Sequence, residues 1–600
     1  MIDYVEIAAN DRLIPKVHID LAEIFDLRQD NDFNDFKQEG NKYYFKIQSK
    51  DSDKNSYYLG SNFVLINPYL IAGADPKRFL IIINEFGEEK EFVISASDFA
   101  SLQKFKGLTE GLGNFMFYGS NQNLQRVKSI LFSLAKSATE IDYLGWHSDK
   151  GVYAFSNGII KPAGHFQEVN ENGFCGQGDE HYFLPFYSNV YTDNNTFENF
   201  RKFRHINDVK VNFKVWSEMF FNVYGENAAI AIAYLIASIF RDIVFNYLHC
   251  FPHLFLFGPP QSGKSMLSES IQYTFGLPQT PINLEAGSTA VGTFRKLEQV
   301  SNSIIAVNEY KNTIEPKLIG LLKATYDGQS REYGVKSNDN RTQTGKVRSS
   351  MIIAGQDLPT NDAALFSRIM PLNFHKRDSY SIEEKNNFDS LQHFQRNGLT
   401  NVLFDILAHR EHFQKSFAYS HKLWVNHLKT QFRNSEGTER SFSNYAILLA
   451  AIATLKDKLD LPFSLDEFKT ILNKQFSDYI ELLKSSTDVS NFWNTFYHLF
   501  QKYVLIPDKH FAIKIDKNNK EYIALHWNIV YPEYKEHMIK QRNVPLNEKT
   551  LQSYLKNTPE FIKATNIRIG DFTPWAFCFD YEKLNLSIKK EYNPENDLTT

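Results

Sequence analysis

Apolar and polar positions follow several different periods along this 600-residue chain. In the first third, short apolar runs are bounded by polar turns. Lys42-Tyr43-Tyr44-Phe45-Lys46-Ile47 and Arg78-Phe79-Leu80-Ile81-Ile82-Ile83 have the length and the aromatic or β-branched content of strands. Phe86-Gly87 opens a turn into a second strand that ends at Ile94. Residues 96–104 and 122–136 have helical spacing, and Gly145-Trp146-His147 reads as a tight turn into the strand Val152-Tyr153-Ala154-Phe155. The polar, Asn/Gly-rich stretch 156–200 reads as loops. Spacing is helical from 206 to 249. Within it, Ala228 to Phe245 is strongly apolar, but Arg241-Asp242 interrupts it and the uncharged part is too short to span a bilayer. A buried helix is expected there. From 250 to 375 strand-like and helix-like segments alternate, the signature of a parallel α/β sheet. Residues 380–484 return to helix, and 490–590 change to short helices and strands. The polar end, Glu591 to Thr600, is expected to be disordered. No internal repeat is visible.

The segment with the sharpest chemistry is Gly258-Pro259-Pro260-Gln261-Ser262-Gly263-Lys264-Ser265, which fits G-x-x-x-x-G-K-[ST]. Leu254-Phe255-Leu256-Phe257 before it reads as a strand. From Met266 onward a helix is expected, with Leu267, Ile271 and Phe275 on its apolar face. Strand, glycine loop and helix form the setting in which this pattern binds phosphate. Glycines let successive N–H groups turn inward, and the helix N-terminus adds partial positive charge. Lys264 is expected to meet the β- and γ-phosphates of ATP, and Ser265 to offer its hydroxyl to Mg²⁺.

A second motif is expected some forty residues on, on a neighbouring strand. Ser303-Ile304-Ile305-Ala306-Val307-Asn308-Glu309 is an apolar run that ends in polar residues, as a buried parallel strand does at its ligand-binding edge. Glu309 can orient and deprotonate a water. Asn308 can accept from a water bound to Mg²⁺, but brings no charge where a carboxylate would. A third strand, Ser350 to Gly355, ends at Gln356, placed to contact the γ-phosphate or the water between the first two motifs. Arg368, in Leu365-Phe366-Ser367-Arg368-Ile369, stands where an arginine finger would reach a neighbouring subunit, or where a surface ion pair would form. Arg440 begins a helix with Tyr445, Leu448 and Leu449 on its apolar face; it reads either as a second γ-phosphate sensor or as a solvated helix-terminal charge.

Between the second and third motifs, residues 331–348 read as two short strands around an Asn/Asp turn. Lys336, Arg341, Lys346 and Arg348 give this hairpin a positive bias suited to single-stranded DNA. Near the C-terminus, Asn547 to Lys556 reads as a capped helix, and Ile562–Ile569 and Ala576–Tyr581 as two strands, a winged-helix pattern. Lys549, Lys556, Lys563 and Arg568 would line its DNA face, although the same module also docks proteins. Trp575 is expected in the core.

Net charge is −4, so any nucleic-acid surface is local. The three cysteines, Cys175, Cys250 and Cys578, have no metal-site spacing and suit a reducing, cytoplasmic setting. Met1-Ile2-Asp3-Tyr4 lacks the features of a signal peptide.

Taken in order, the phosphate loop, Asn308-Glu309-Tyr310-Lys311-Asn312, the basic hairpin, Gln356 and Ser367-Arg368 resemble ring helicases. The resemblance is to replicative helicases of mobile elements, AAA+ ATPases similar to superfamily 3 and MCM helicases. Leu144-Gly145-Trp146-His147 resembles their N-terminal domain. Asn308 in place of the usual Asp is the clearest departure. The resemblance implies a multidomain α/β chain with an AAA+ P-loop NTPase core at 250–378. Around it are expected a mixed α+β region at 1–205 for DNA, a partner or a collar, a helical linker at 206–249, a helical lid at 379–485 and a winged helix at 490–590. It further implies ATP and Mg²⁺ as cofactors, single-stranded and forked DNA as partners, a hexameric ring, and a primase or initiator partner. Two other readings of the same residues stand beside it: a non-helicase ATPase switch, and a weakly active nucleotide-binding scaffold.

Overall fold

The computed structural model describes residues 30–588, together with 4–5 and 14–15; positions 34, 48–55, 179, 193–196, 207, 209, 286–288, 335–341, 360–361, 377–378, 380, 434–437, 518, 542, 585 and 587 fall outside the described set. The chain divides into two units, 1–142 with 154–160 and 166–201, and 143–153 with 161–165 and 202–600.

The first unit is α+β. A six-stranded mixed sheet runs in the order 174–177, 180–183, 136–140, 63–72, 77–84, 89–95. The helices Leu102–Leu112 and Asn121–Leu134 belong to the same unit. Its core is rich in phenylalanine, with Phe63, Phe79, Phe105 and Phe183 fully buried. The predicted helix 96–104 is two helices, because Ser101 caps the second by accepting from the Lys104 N–H. The stretch 156–200, expected as loops, contributes the strands 174–177 and 180–183.

The second unit begins inside the region expected to be N-terminal. Leu144–His147 is itself a strand rather than a turn, and Leu144-Gly145 pairs in parallel with Val300-Ser301. Gly145 (φ +89°) is required there, since a Cβ would lie 1.9 Å from the Ser301 carbonyl oxygen.

The helices α1 (Phe213–Tyr224), α2 (Glu226–Ile239) and α3 (Arg241–Leu248) come next. The single helix expected at 228–245 is two, broken at Phe240 and bent by 79°. Residues 228–239 of α2 are all buried. No single helix among the described residues is long and apolar enough to cross a membrane, though the bent pair passes by length and composition.

The centre of the second unit is a five-stranded sheet. Its strands are β1 (His253–Phe257), β2 (Ile282–Asn283), β3 (Ile304–Tyr310), β6 (Ser350–Gly355) and β7 (Ile369–Asn373), in the order β2-β3-β6-β1-β7. Every pairing is parallel. Residues 304–307 and 350–355 are buried along their whole length, as expected of strands covered on both faces. β1 leads through the glycine loop into α4 (Lys264–Gln272), and β3 leads to α5 (Pro316–Tyr326). Between α5 and β6 lies an antiparallel hairpin, β4 (Gln329–Gly334) and β5 (Thr342–Lys346). Its tip, including Lys336 and Arg341, lies outside the described residues.

Helices α6 (Arg410–Gln431) and α7 (Glu439–Leu455) follow the sheet. One long helix, α8 (Leu465–Gln501), runs through 485–490, where a domain boundary was expected. Beyond it, β8 (Phe511–Ile515), β9 (Glu521–His526), β10 (Phe561–Asn566) and β11 (Trp575–Asp580) form a four-stranded antiparallel sheet in the order β8-β9-β11-β10. The helices α9 (Trp527–Lys540) and α10 (Glu548–Lys556) connect β9 to β10. Asn547 caps α10 by accepting from the Lys549 N–H. The β8–β9 hairpin has no counterpart in the sequence reading. Trp575 is 53% exposed, contrary to its expected place in the core, because the burial of β11 begins only at Ala576. Glu591 to Thr600 lies outside the described residues.

Candidate nucleotide site

The loop from Gly258 to Ser265 joins the C-terminal end of β1 to the N-terminus of α4. Its backbone explains its composition. Gly258 has φ +143°, and a Cβ there would meet the Phe374 carbonyl oxygen at 2.1 Å. The neighbouring chain is that close because the Phe374 N–H donates to the Phe257 carbonyl at 2.8 Å. Gln261 (φ 60°) and Gly263 (φ 95°) complete the curl in left-handed conformations. Pro259, Pro260, Gln261, Ser265 and Met266 are exposed, whereas Ser262 and Lys264 are each only 9% exposed.

The Lys264 ammonium folds back over the loop. It donates to the Gly258 and Pro259 carbonyls at 2.8 and 2.7 Å and to the Ser262 hydroxyl at 3.3 Å. Burial lowers its pKa, and the charge of Glu309 acts in the opposite direction. Its present acceptors are all neutral, and a phosphate oxygen would bind it more strongly.

At the end of β3 the register with β6 shifts between Val307 and Tyr310. Tyr310 is buried and packs edge-on against Phe255, with ring centroids 5.2 Å apart. Asn308 and Glu309 lie in this irregularity. Glu309 has φ 61°, a strained conformation for a residue with a Cβ, and its side chain is exposed. Asn308 Oδ1 is buried and has no hydrogen-bond partner among the described residues. A buried carbonyl oxygen without a donor is costly, and a metal-bound water would supply one. Ser265, Asn308, Lys264 and Glu309 therefore fit a Mg²⁺–nucleoside triphosphate by their donors and acceptors.

The sheet order corrects one expectation. β3 is not adjacent to β1, because β6 lies between them. Gln356, the residue after β6, is exposed at the same edge of the sheet, between the ends of β1 and β3. Gln356 also lines a cavity of about 820 Å³, with Phe257, Asn373, Tyr479, Tyr554 and Asn557.

Arg368 and Arg440 lie elsewhere. Arg368 immediately precedes β7, and its carbonyl accepts from the His253 N–H at the start of β1. The glycine loop follows the other end of β1, four residue steps away, roughly 13 Å at the rise of a parallel strand. Arg368 is held there: it donates to the Ala364 carbonyl at 2.8 Å, pairs with Asp327 at 3.6 Å, and lies 5.4 Å from the Tyr326 ring centroid. Its side chain is 15% exposed. Arg440 donates to the Ser367 hydroxyl at 2.9 Å and lies 5.6 Å from the same ring. The two arginines thus form one group around Tyr326, beyond the end of β1 opposite the glycine loop of their own chain.

Lys549 and Lys556 are exposed on α10, and the Lys556 ammonium lies 4.9 Å from the Phe577 ring centroid. Lys563 and Arg568 are also exposed. Lys346 is exposed at the root of the hairpin, and Arg348 is half-buried beside it.

One contact escaped the sequence. Asn312, just beyond β3, donates to buried Glu560 at 3.0 Å. Burial raises the Glu560 pKa above the usual carboxylate range. The C-terminal sheet region is thereby bonded to the strand that carries Asn308 and Glu309.

No protein-family model and no curated protein matches this chain. Among solved structures it is similar to the active Cch helicase of SCCmec type IV, at 12% identity over 93% of this chain and 100% of that one, with a TM-score of 0.47. It is also similar to the JCV helicase with a bound small acetamide, at 12% identity over 40% of this chain and 65% of that one, with a TM-score of 0.22. At these TM-scores neither likeness bears on the chemistry of this chain.

Proposed function

We propose that this chain is an ATP-driven DNA helicase of the AAA+ type that works as a ring, most simply a hexamer, in the replication of a mobile genetic element. The observation that carries the reading is the grouping at one edge of the parallel sheet. The glycine loop with Lys264, the strained Glu309 and Gln356 come from the ends of three strands that lie side by side. Arg368 stands at the opposite edge.

In this reading Lys264 and the loop N–H groups hold the β- and γ-phosphates. Ser265, and Asn308 through a water, hold Mg²⁺, which supplies charge neutralisation when bound. Glu309 orients and deprotonates the attacking water, and Gln356 contacts the γ-phosphate. The base enters the cavity beside Gln356. Arg368, too far from the loop of its own chain, acts on the nucleotide of a neighbouring copy. Hydrolysis moves the hairpin at 331–348 along one DNA strand, and Lys549 and Lys556 contact duplex DNA. The first unit forms a collar or binds origin DNA or an initiator or primase partner, and the protein works in the cytoplasm.

The test is unwinding of a forked duplex with ATP and Mg²⁺, with Glu309→Gln as the control. Displacement by wild type alone is expected. ATP hydrolysis and DNA binding without displacement would favour a non-helicase ATPase switch.

A further inference from the structure

Arg241, the first residue of α3, is 3% exposed. Its Nε and Nη2 are buried and have no hydrogen-bond partner among the described residues. The guanidinium lies 4.9 Å from the Phe245 ring centroid and 5.6 Å from that of Phe251. Aromatic faces attract such a cation but do not satisfy its N–H donors. A buried charge in this state calls for a partner.

Arg241 lines a cavity of about 450 Å³, and Lys346 and Arg348 line it from the root of the hairpin. Burial lowers the Arg241 pKa to about 10; Asp242 acts to raise it, and the neighbouring charge of Arg348 lowers it further. Two carboxylates also line the cavity, and both are engaged elsewhere. Asp242 accepts from both Nη atoms of Arg410 and from the Asn302 amide. Asp327 pairs with Arg368 at 3.6 Å. Three cations therefore face a space whose acids are largely occupied. Tyr143, Trp146 and Phe245 supply aromatic wall, and the Arg348 guanidinium lies 4.6 Å from the Tyr143 ring centroid. The volume is that of a small-ligand site and far exceeds the needs of a single ion.

We propose that this cavity is a second nucleotide-binding site, distinct from the glycine loop, which holds a phosphate on Arg241 and Arg348 and the attached base against the aromatic wall. The nucleotide comes either from a DNA strand led in along the hairpin or from a free mononucleotide. The first source rests on the helicase reading; the second does not. Because Asp327 forms part of the wall, an occupant would lie beside the carboxylate that holds Arg368.

The experiment is photo-crosslinking of the full-length chain in a Lys264→Ala background, which weakens the glycine loop as a competing site. One arm uses a twenty-residue oligothymidylate carrying 5-iodouracil, the other 5-iodo-dUMP. Crosslinks are mapped by mass spectrometry, and oligonucleotide affinity is measured for Arg241→Gln and Arg348→Ala. Crosslinks to peptides containing Tyr143, Trp146 or Phe245 are expected. They should be accompanied by a loss of about tenfold in affinity for Arg348→Ala, the size expected when a charge-assisted bond is lost. Half-buried Arg348 keeps the test valid should Arg241→Gln fail to fold. Crosslinks from the oligonucleotide assign the site to DNA. Crosslinks from the mononucleotide alone support the site with a free ligand and count against the DNA source only. Absence of cavity crosslinks from both probes overturns the proposal, whatever the affinities, and leaves the helicase reading to its own unwinding test.

Discussion

Replacing Gly258 by alanine should damage the candidate nucleotide site through one contact. The new Cβ would lie 2.1 Å from the Phe374 carbonyl oxygen, on backbone that cannot rotate away. Relief requires β1 and the chain after β7 to separate, which breaks the hydrogen bond from the Phe374 N–H to the Phe257 carbonyl at 2.8 Å. That bond contributes about 1 kcal/mol. Holding an L-residue near φ +143° adds about 1–3 kcal/mol of strain. The sum is about 2–4 kcal/mol. Gly263→Ala is the internal control: φ there is +95°, but nothing lies within 4 Å of the added Cβ, so only the strain of about 1–2 kcal/mol applies. The assay is a urea titration of each variant, with a fluorescent ATP analogue titrated in parallel. Gly258→Ala should be the less stable of the two and the weaker binder by at least tenfold. Equal stability and wild-type affinity in Gly258→Ala would show that the approach of Phe374 does not constrain the loop.

Three further outcomes are expected. Asn308→Asp should tighten Mg²⁺ dependence and raise ATP turnover severalfold, read as a lower Mg²⁺ concentration at half-maximal rate; an unchanged profile would detach Asn308 from the metal. Arg368→Ala should lower hydrolysis by about a thousandfold, yet mixing it with Lys264→Ala should restore measurable turnover, since the proposed shared site would pair the intact Lys264 of one copy with the intact Arg368 of the other; no recovery on mixing would argue against a shared site. Glu560 has a raised pKa in the folded state, so its contribution to stability is present below the ordinary carboxylate value and is lost as pH rises through the folded value. Glu560→Gln, which keeps an acceptor for Asn312, should therefore melt higher than wild type at pH 8, with a smaller difference at pH 4; the opposite pH trend would show that Glu560 is ionised in the fold.

The geometry of the candidate nucleotide site was legible because its signals are local. A glycine loop needs a strand before it and a helix after it, and both occur within about ten residues of Gly258. The buried runs at 304–307 and 350–355 were equally plain, since strands covered on both faces carry no polar interruptions. Long-range pairing left no such trace. Nothing in Leu144-Gly145-Trp146-His147 indicates that it pairs with Val300-Ser301. Asn312 and Glu560 are 248 positions apart in the chain. The order of strands was half legible: a place for Gln356 between the motifs was foreseen, but the loss of adjacency between β1 and β3 was not. Arg368 and Arg440 were found as arginines of interest, yet only the fold shows that they share Tyr326. The positive φ of Glu309 depends on the register shift against β6, which no residue in β3 announces. Trp575 was misplaced because a large aromatic favours the core on average, while its position at the first residue of β11 puts the ring beyond it.

Whether the chain is a DNA-coupled motor is decided by ATP hydrolysis by wild type and Glu309→Gln, each with and without single-stranded DNA. A DNA-coupled motor predicts a wild-type rate that rises with DNA and a variant that binds ATP but does not turn over. Hydrolysis that ignores DNA, or that survives in Glu309→Gln, would contradict it.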